Sequence, residues 1–222
     1  MIPLRDSQPS YSKPYVTMLL IAANALVFLH QLSLDSFSLN YFIAHYGVIP
    51  ARFQISDVFT SMFLHGGWLH LIGNMWFLWI YGDNIEDTLG HGKYLLFYLL
   101  CGVAAAMAQV AVSLDSRVPN IGASGAIAGV MGAYLVKFPH SRITTLVFVF
   151  VFVTTVEIPA VFILAYWFVI QFFSGVGSIG ESHLSRGGVA WFAHIGGFVA
   201  GMLLIKLMKT RERYHLRRDL SW

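Results

Sequence analysis

Ser124, in the stretch NIGASGAIAG (residues 120–129), stands between Gly122 and Gly125, where a polar loop gives way to an apolar run. His194 lies in AHIGG (193–197), and His70 and Asn74 lie in HGGWLHLIGN (65–74). A serine hydroxyl is a weak nucleophile until an adjacent base takes its proton, and a neutral imidazole with an ordinary pKa of ~6.5 suits that task. The chemistry suggested is acyl transfer: Ser124 attacks and His194 is its base. The oxyanion of the tetrahedral intermediate needs donors. The unpaired N–H groups at a helix start supply some of them. His70 and Asn74, one turn apart on one helix face, supply others.

The elements that position these groups are membrane helices. The chain has 222 residues, of which 57% are apolar and 11% charged, with a mean hydropathy of +0.66, outside the balance of soluble domains. About 20 apolar residues cross the hydrocarbon core, and hydropathy marks six segments, roughly 15–34, 66–82, 93–113, 124–139, 158–174 and 189–208. The expected fold is an all-α bundle of six transmembrane helices over residues 15–208, between an N-terminal tail (1–14) and a basic C-terminal tail (209–222). The stretch ITTLVFVFVFVTTVE, rich in β-branched residues and Phe, reads as an extended or re-entrant piece before the fifth span. Cys101 is the only cysteine, so no internal disulfide forms.

With six spans both termini share one side. That side collects Arg5, Lys13, Lys93, Lys137, Arg142, Lys206, Lys209, Arg211, Arg213, Arg217 and Arg218, against Arg52, Arg117 and Arg186 opposite. This asymmetry places both termini in the cytoplasm. The net charge of +3 suits anionic membrane lipids and gives no reason to expect nucleic acid. A prokaryotic inner membrane is the expected location.

Polar groups within spans are expensive and face a cavity or a partner. Counting from the cytoplasmic edge, His70 lies 13 residues above Asp83, Ser124 lies 13 above Lys137, and His194 lies 12 above Lys206. At ~1.5 Å per residue all three sit about 18–20 Å above the inner boundary, hence roughly 10 Å below the outer one. Gly125 and Gly129 on the fourth span, and Gly197 and Gly201 on the sixth, form small-xxx-small faces that allow close approach. A tight crossing of these spans brings hydroxyl and imidazole together.

The motifs HGGWLHLIGNMWFLWIYGDNIED, GASGAIAGVMGAYL and AHIGGFVAG, in that order on spans two, four and six, resemble the rhomboid family of intramembrane serine proteases. The resemblance covers nearly the whole chain. It implies hydrolysis of peptide bonds in or beside a substrate's transmembrane helix by a serine–histidine dyad with no third acid. It implies that Ser124 is the nucleophile, His194 the base, His70 and Asn74 the oxyanion-side residues, and His65 a structural histidine. Transmembrane protein substrates, with small residues near the cut and a helix-weakening sequence, follow from the same resemblance. No metal or nucleotide motif is present, so no cofactor is expected.

The chain departs from the family pattern in two places. Ala128 stands where some rhomboids carry a Tyr that stacks on the histidine, so another residue or packing must orient His194. Ser56-Asp57 stand where some carry Trp-Arg in the first loop. Competing readings are a non-catalytic rhomboid-like protein that binds membrane helices, a channel or transporter, and a zinc site from His65, His70 and His194. A channel would need charged groups along a path, and Glu157 is the only acid in the long apolar stretch. The zinc site lacks an HExxH motif, and ligands five apart on a helix diverge. The loop SGVGSIGESHLSRGG before the last span is a candidate movable cap.

Overall fold

The computed structural model describes residues 2–149, 152–178 and 190–211. Its helices are α1 (Tyr15–Ser33), α2 (Ser36–Tyr46), α3 (Ile55–Thr60), α4 (Trp68–Leu89), α5 (His91–Val112), α6 (Ser124–Lys137), α7 (Ala160–Gly177) and α8 (Trp191–Leu207). Its strands are β1 (Ile2–Asp6), β2 (Arg142–Val149) and β3 (Phe152–Pro159). By length and composition, α1, α5 and α7 are able to cross a bilayer, while α6 and α8 are apolar but shorter. With 57% of its residues apolar, this is an integral membrane protein. Residues 179–188 of the expected cap and residues 212–222 of the basic tail lie outside the described residues.

The all-α expectation needs one correction. Three antiparallel strands form a sheet of order β1-β2-β3. The hairpin of β2 and β3 is the stretch read as extended or re-entrant, and its Thr and Val residues crowd a helix but fit a pleated surface. Its third strand comes from residues 2–6 of the N-terminal segment, whose short mixed sequence carries no strand signal of its own. Glu157 lies on β3, 3.6 Å from Arg142 across the ladder at an exposed position.

Helix α6 is the centre of the bundle. Every residue from Gly125 to Tyr134 is buried, and α4, α5, α7 and α8 all pack on it. Its 14 residues span only ~21 Å, well short of the ~30 Å hydrocarbon core. The approach of α6 to α8 leaves no room for side chains: a Cβ on Gly197 would stand 2.0 Å from the Gly125 carbonyl oxygen, and one on Gly201 would stand 1.9 Å from that of Gly129. On the face toward α5, a Cβ on Gly125 would meet Ala105 at 2.5 Å and one on Gly129 would meet Cys101 at 2.4 Å.

Helix α1 begins after Pro14 without a capping side chain of its own. The fully buried carboxylate of Glu86, on α4, takes that place. It accepts the backbone N–H groups of Val16 and Thr17 and the Thr17 hydroxyl, each at 2.8 Å, and lies 2.6 Å from His91 Nδ1. An anion at a helix N-terminus satisfies orphan donors and complements the dipole, so this contact locks α1 against α4.

Candidate active site

Ser124 is the first residue of α6, and His194 lies in the first turn of α8. Because the glycine faces bring these helices nearly into backbone contact, Ser124 Oγ and His194 Nε2 are 2.8 Å apart, a normal hydrogen-bond distance. The other ring nitrogen, Nδ1, lies 2.6 Å from Gln171 Oε1 on α7. One turn earlier on α7, the Trp167 ring centroid lies 5.7 Å from that of His194 at an interplanar angle of 37°. Trp191 approaches the same imidazole edge-on at 6.4 Å. Ala128, on α6, offers no ring to His194; Trp167 and Gln171 occupy its surroundings from α7.

His70 and Asn74 project from the first turns of α4. The Gly66 N–H donates to His70 Nδ1 at 3.3 Å, so the ring proton belongs on Nε2. That edge lies over Gly122, where φ is +122° and a Cβ would stand 2.8 Å from His70 Nε2 and 3.7 Å from Asn74 Nδ2. Gly122 holds this conformation because it lacks a Cβ, and its N–H donates to the Ser61 carbonyl at 2.9 Å. Asn74 Nδ2 lies 2.9 Å from His65 Nε2, an arrangement in which the amide donates one of its two N–H groups. His65 is buried, and its backbone carbonyl and N–H are clasped by the Gln31 side chain at 3.1 and 2.9 Å.

A cavity of about 620 Å³ joins these groups, lined by Ser124, His194, His70 and Asn74 with apolar walls that include Phe77 and Trp167. A second void of about 40 Å³ also reaches Ser124, beside Gln109 and Asn120. The imidazole of His194 is engaged at both nitrogens and His65 Nε2 faces Asn74, so these histidines do not form a ligand set. Among the described residues no group of three His, Cys, Asp or Glu is placed to hold a metal ion.

Gln171 and Trp167 belong to no motif of the sequence reading. The signal was available: Gln171 is the one amide in the apolar segment AVFILAYWFVIQFFSGVG, and Trp167 precedes it by four residues, on the same helix face. In the sequence Gly122 stands out only as a neighbour of Ser124, since a positive φ is not legible in a single glycine.

The family model described as the Rhomboid domain matches residues 52–211, from the segment before α3 to beyond α8, and so includes every residue of this cavity. The mouse presenilin-associated rhomboid-like protein, mitochondrial, is 33% identical over 141 residues, covering 61% of this chain and 36% of that protein. Rhomboid protease GluP of Bacillus subtilis is 35% identical over 127 residues, 55% of this chain and 24% of that one. Rhomboid protein 1, mitochondrial, of Saccharomyces cerevisiae is 29% identical over 175 residues, 75% of this chain and 46% of its own length. The chain thus spans less than half the length of these relatives. A domain match over more than half of the chain places this protein in the rhomboid family.

Proposed function

We propose that the chain is an intramembrane serine endopeptidase that cleaves peptide bonds in or beside the transmembrane helices of membrane-protein substrates. The observation that carries this reading is the 2.8 Å contact of Ser124 Oγ with His194 Nε2 within a cavity that also presents His70 and Asn74. One relative's name, rhomboid protease GluP, supports the same activity class.

In the proposed reaction His194 Nε2 takes the hydroxyl proton as Ser124 Oγ bonds to the scissile carbonyl carbon. The carbonyl electrons move to oxygen, and His70 Nε2–H, the remaining Asn74 N–H and the first backbone N–H groups of α6 receive the oxyanion. His194 then returns the proton to the leaving amine. Water, activated by the same imidazole, hydrolyses the acyl-enzyme and restores the hydroxyl. The substrate helix must unwind locally, because helical hydrogen bonding occupies its carbonyls. The short α6 supports a site below the outer surface, within reach of water.

The proposal includes six spans, with α4, α6 and α8 as the second, fourth and sixth, and both termini on the cytoplasmic side by the distribution of basic residues. Relatives named as mitochondrial widen the expected location beyond a prokaryotic inner membrane. The non-catalytic alternative gives no use to a serine and a histidine held in hydrogen-bond contact.

The test is cleavage of a single-span membrane substrate in liposomes by the parent, Ser124→Ala and His194→Ala. Loss of cleavage in both folded variants is expected, with activity in the parent failing as pH falls and the imidazole protonates. A parent that binds membrane helices but cleaves none, or a variant that cleaves at the parent's rate, overturns the reading.

A further inference from the structure

Helix α7 brings an amide to the ring nitrogen of His194 that Ser124 does not use. Gln171 is 7% exposed, and its Oε1 lies 2.6 Å from His194 Nδ1. A neutral imidazole carries one ring proton, and the tautomer decides which nitrogen is the base. For Nε2 to accept from the Ser124 hydroxyl, the proton must be on Nδ1, and only an acceptor at Nδ1 favours that state. Oε1 is such an acceptor. The two contacts therefore select each other: Ser124 O–H to Nε2, and Nδ1–H to Gln171 Oε1.

We propose that Gln171 is the positioning residue of the site, an uncharged third member that holds His194 in its Nδ1–H tautomer and in the plane that faces Ser124. The proposal rests on the protease reading above. Trp167, one turn away on α7 and against the imidazole, restricts the ring's remaining freedom, so both constraints come from one helix face. An amide also avoids a second buried charge in an apolar span, where an ionised carboxylate is expensive. Gln171 differs from a carboxylate in consequence: it orients the ring but adds no full charge to favour the imidazolium. Among the described residues, His70 on α4 is the other titratable side chain lining the cavity. Around the imidazole, α6 contributes Ser124, α7 contributes Gln171 and Trp167, and α8 contributes Trp191.

The test compares the parent, Gln171→Leu and Gln171→Glu in full-length protein, reading kcat and KM for a single-span substrate from pH 5 to 9. Labelling of Ser124 by a fluorophosphonate serves as a substrate-independent readout, Ser124→Ala as its zero, and thermal midpoints in detergent report folding. Gln171→Leu should lower kcat and the labelling rate by about 10²-fold, the scale of a misoriented catalytic group, with KM within about twofold. Gln171→Glu restores an acceptor and adds a charge, so it should recover most of kcat while the acidic limb of its profile moves to higher pH. A residue that only packed α7 against α8 would move the thermal midpoint and leave that limb in place.

Parent kcat and labelling in folded Gln171→Leu, or an unmoved limb in folded Gln171→Glu, overturns the positioning role while leaving the protease reading intact. If Gln171→Leu does not fold, the limb of Gln171→Glu decides alone. A parent that neither cleaves nor labels at Ser124 overturns the protease reading, and the role of Gln171 falls with it.

Discussion

The imidazole of His70 lies directly on the backbone of Gly122, so that a methyl group at Gly122 would stand 2.8 Å from both Cε1 and Nε2 of the ring. Gly122 is two residues before Ser124, and the His70 edge that rests on it lines the same cavity as Ser124. Gly122→Ala combines that clash with a φ of +122° that L-residues rarely adopt. The expected outcome is loss of cleavage by about 10²-fold or more, with a lowered thermal midpoint. Parent-like kcat in this variant would show that the ring is not held by this contact.

Gly201 and Gly129 pose a sharper packing test. A Cβ on Gly201 would lie 1.9 Å from the Gly129 carbonyl oxygen, a backbone atom that cannot rotate away. Gly201→Ala must therefore separate α8 from α6, at a cost of about 1–3 kcal/mol for overpacking. His194 would then retreat from Ser124, so fluorophosphonate labelling should fall together with stability. Stability lost with labelling unchanged would mean that the helices separate only at their far end.

Glu86 holds the start of α1 by three hydrogen bonds from Val16 and Thr17. Glu86→Ala leaves the two buried Thr17 donors and the part-buried Val16 N–H without their acceptor, a loss of about 2 kcal/mol or more if each buried donor costs ~1–3 kcal/mol. Hydrogen exchange should show the first turn of α1 losing protection ahead of α6. Uniform exchange across both helices would argue against a local lock.

Asp6 ties the sheet to the bundle through a hydrogen bond from the Tyr134 hydroxyl. Burial raises its pKa above the ordinary carboxylate value, with the Tyr134 bond opposing the shift. The folded state therefore holds this proton to a higher pH than the unfolded state does. The contribution of Asp6 to stability is greatest below the unfolded pKa and declines as pH rises through the folded one. Thermal midpoints of the parent and Asp6→Asn should diverge over that window, with the parent losing relative stability on going from pH 4 to 7. A constant difference between the two proteins would contradict this.

The part of the candidate site legible in the sequence is the part encoded by costly residues at fixed spacing. Ser124, His70, Asn74 and His194 stand out because a polar group inside an apolar span demands a reason, and counting along each helix places three of them at one depth. Gly125, Gly129, Gly197 and Gly201 are likewise readable, because i, i+4 spacing alone sets a helix face. The β-branched run before α7 signalled extended backbone. Its partner β1 did not, because five residues of mixed type acquire strand structure only when a neighbouring edge accepts their hydrogen bonds.

Which helix supports His194 was a tertiary question. Ala128 removed the nearest sequence clue, and Gln171 is 23 residues from His194, on another helix. Whether an amide meets an imidazole depends on the rotation of α7 about its own axis, which is set by contacts with α6 and α8. The conformation of Gly122 and the cap that Glu86 places on α1 follow the same logic. Periodicity along one helix is local and survives in the sequence, whereas the angle and register between helices arise from many distributed contacts and exist only in the folded chain.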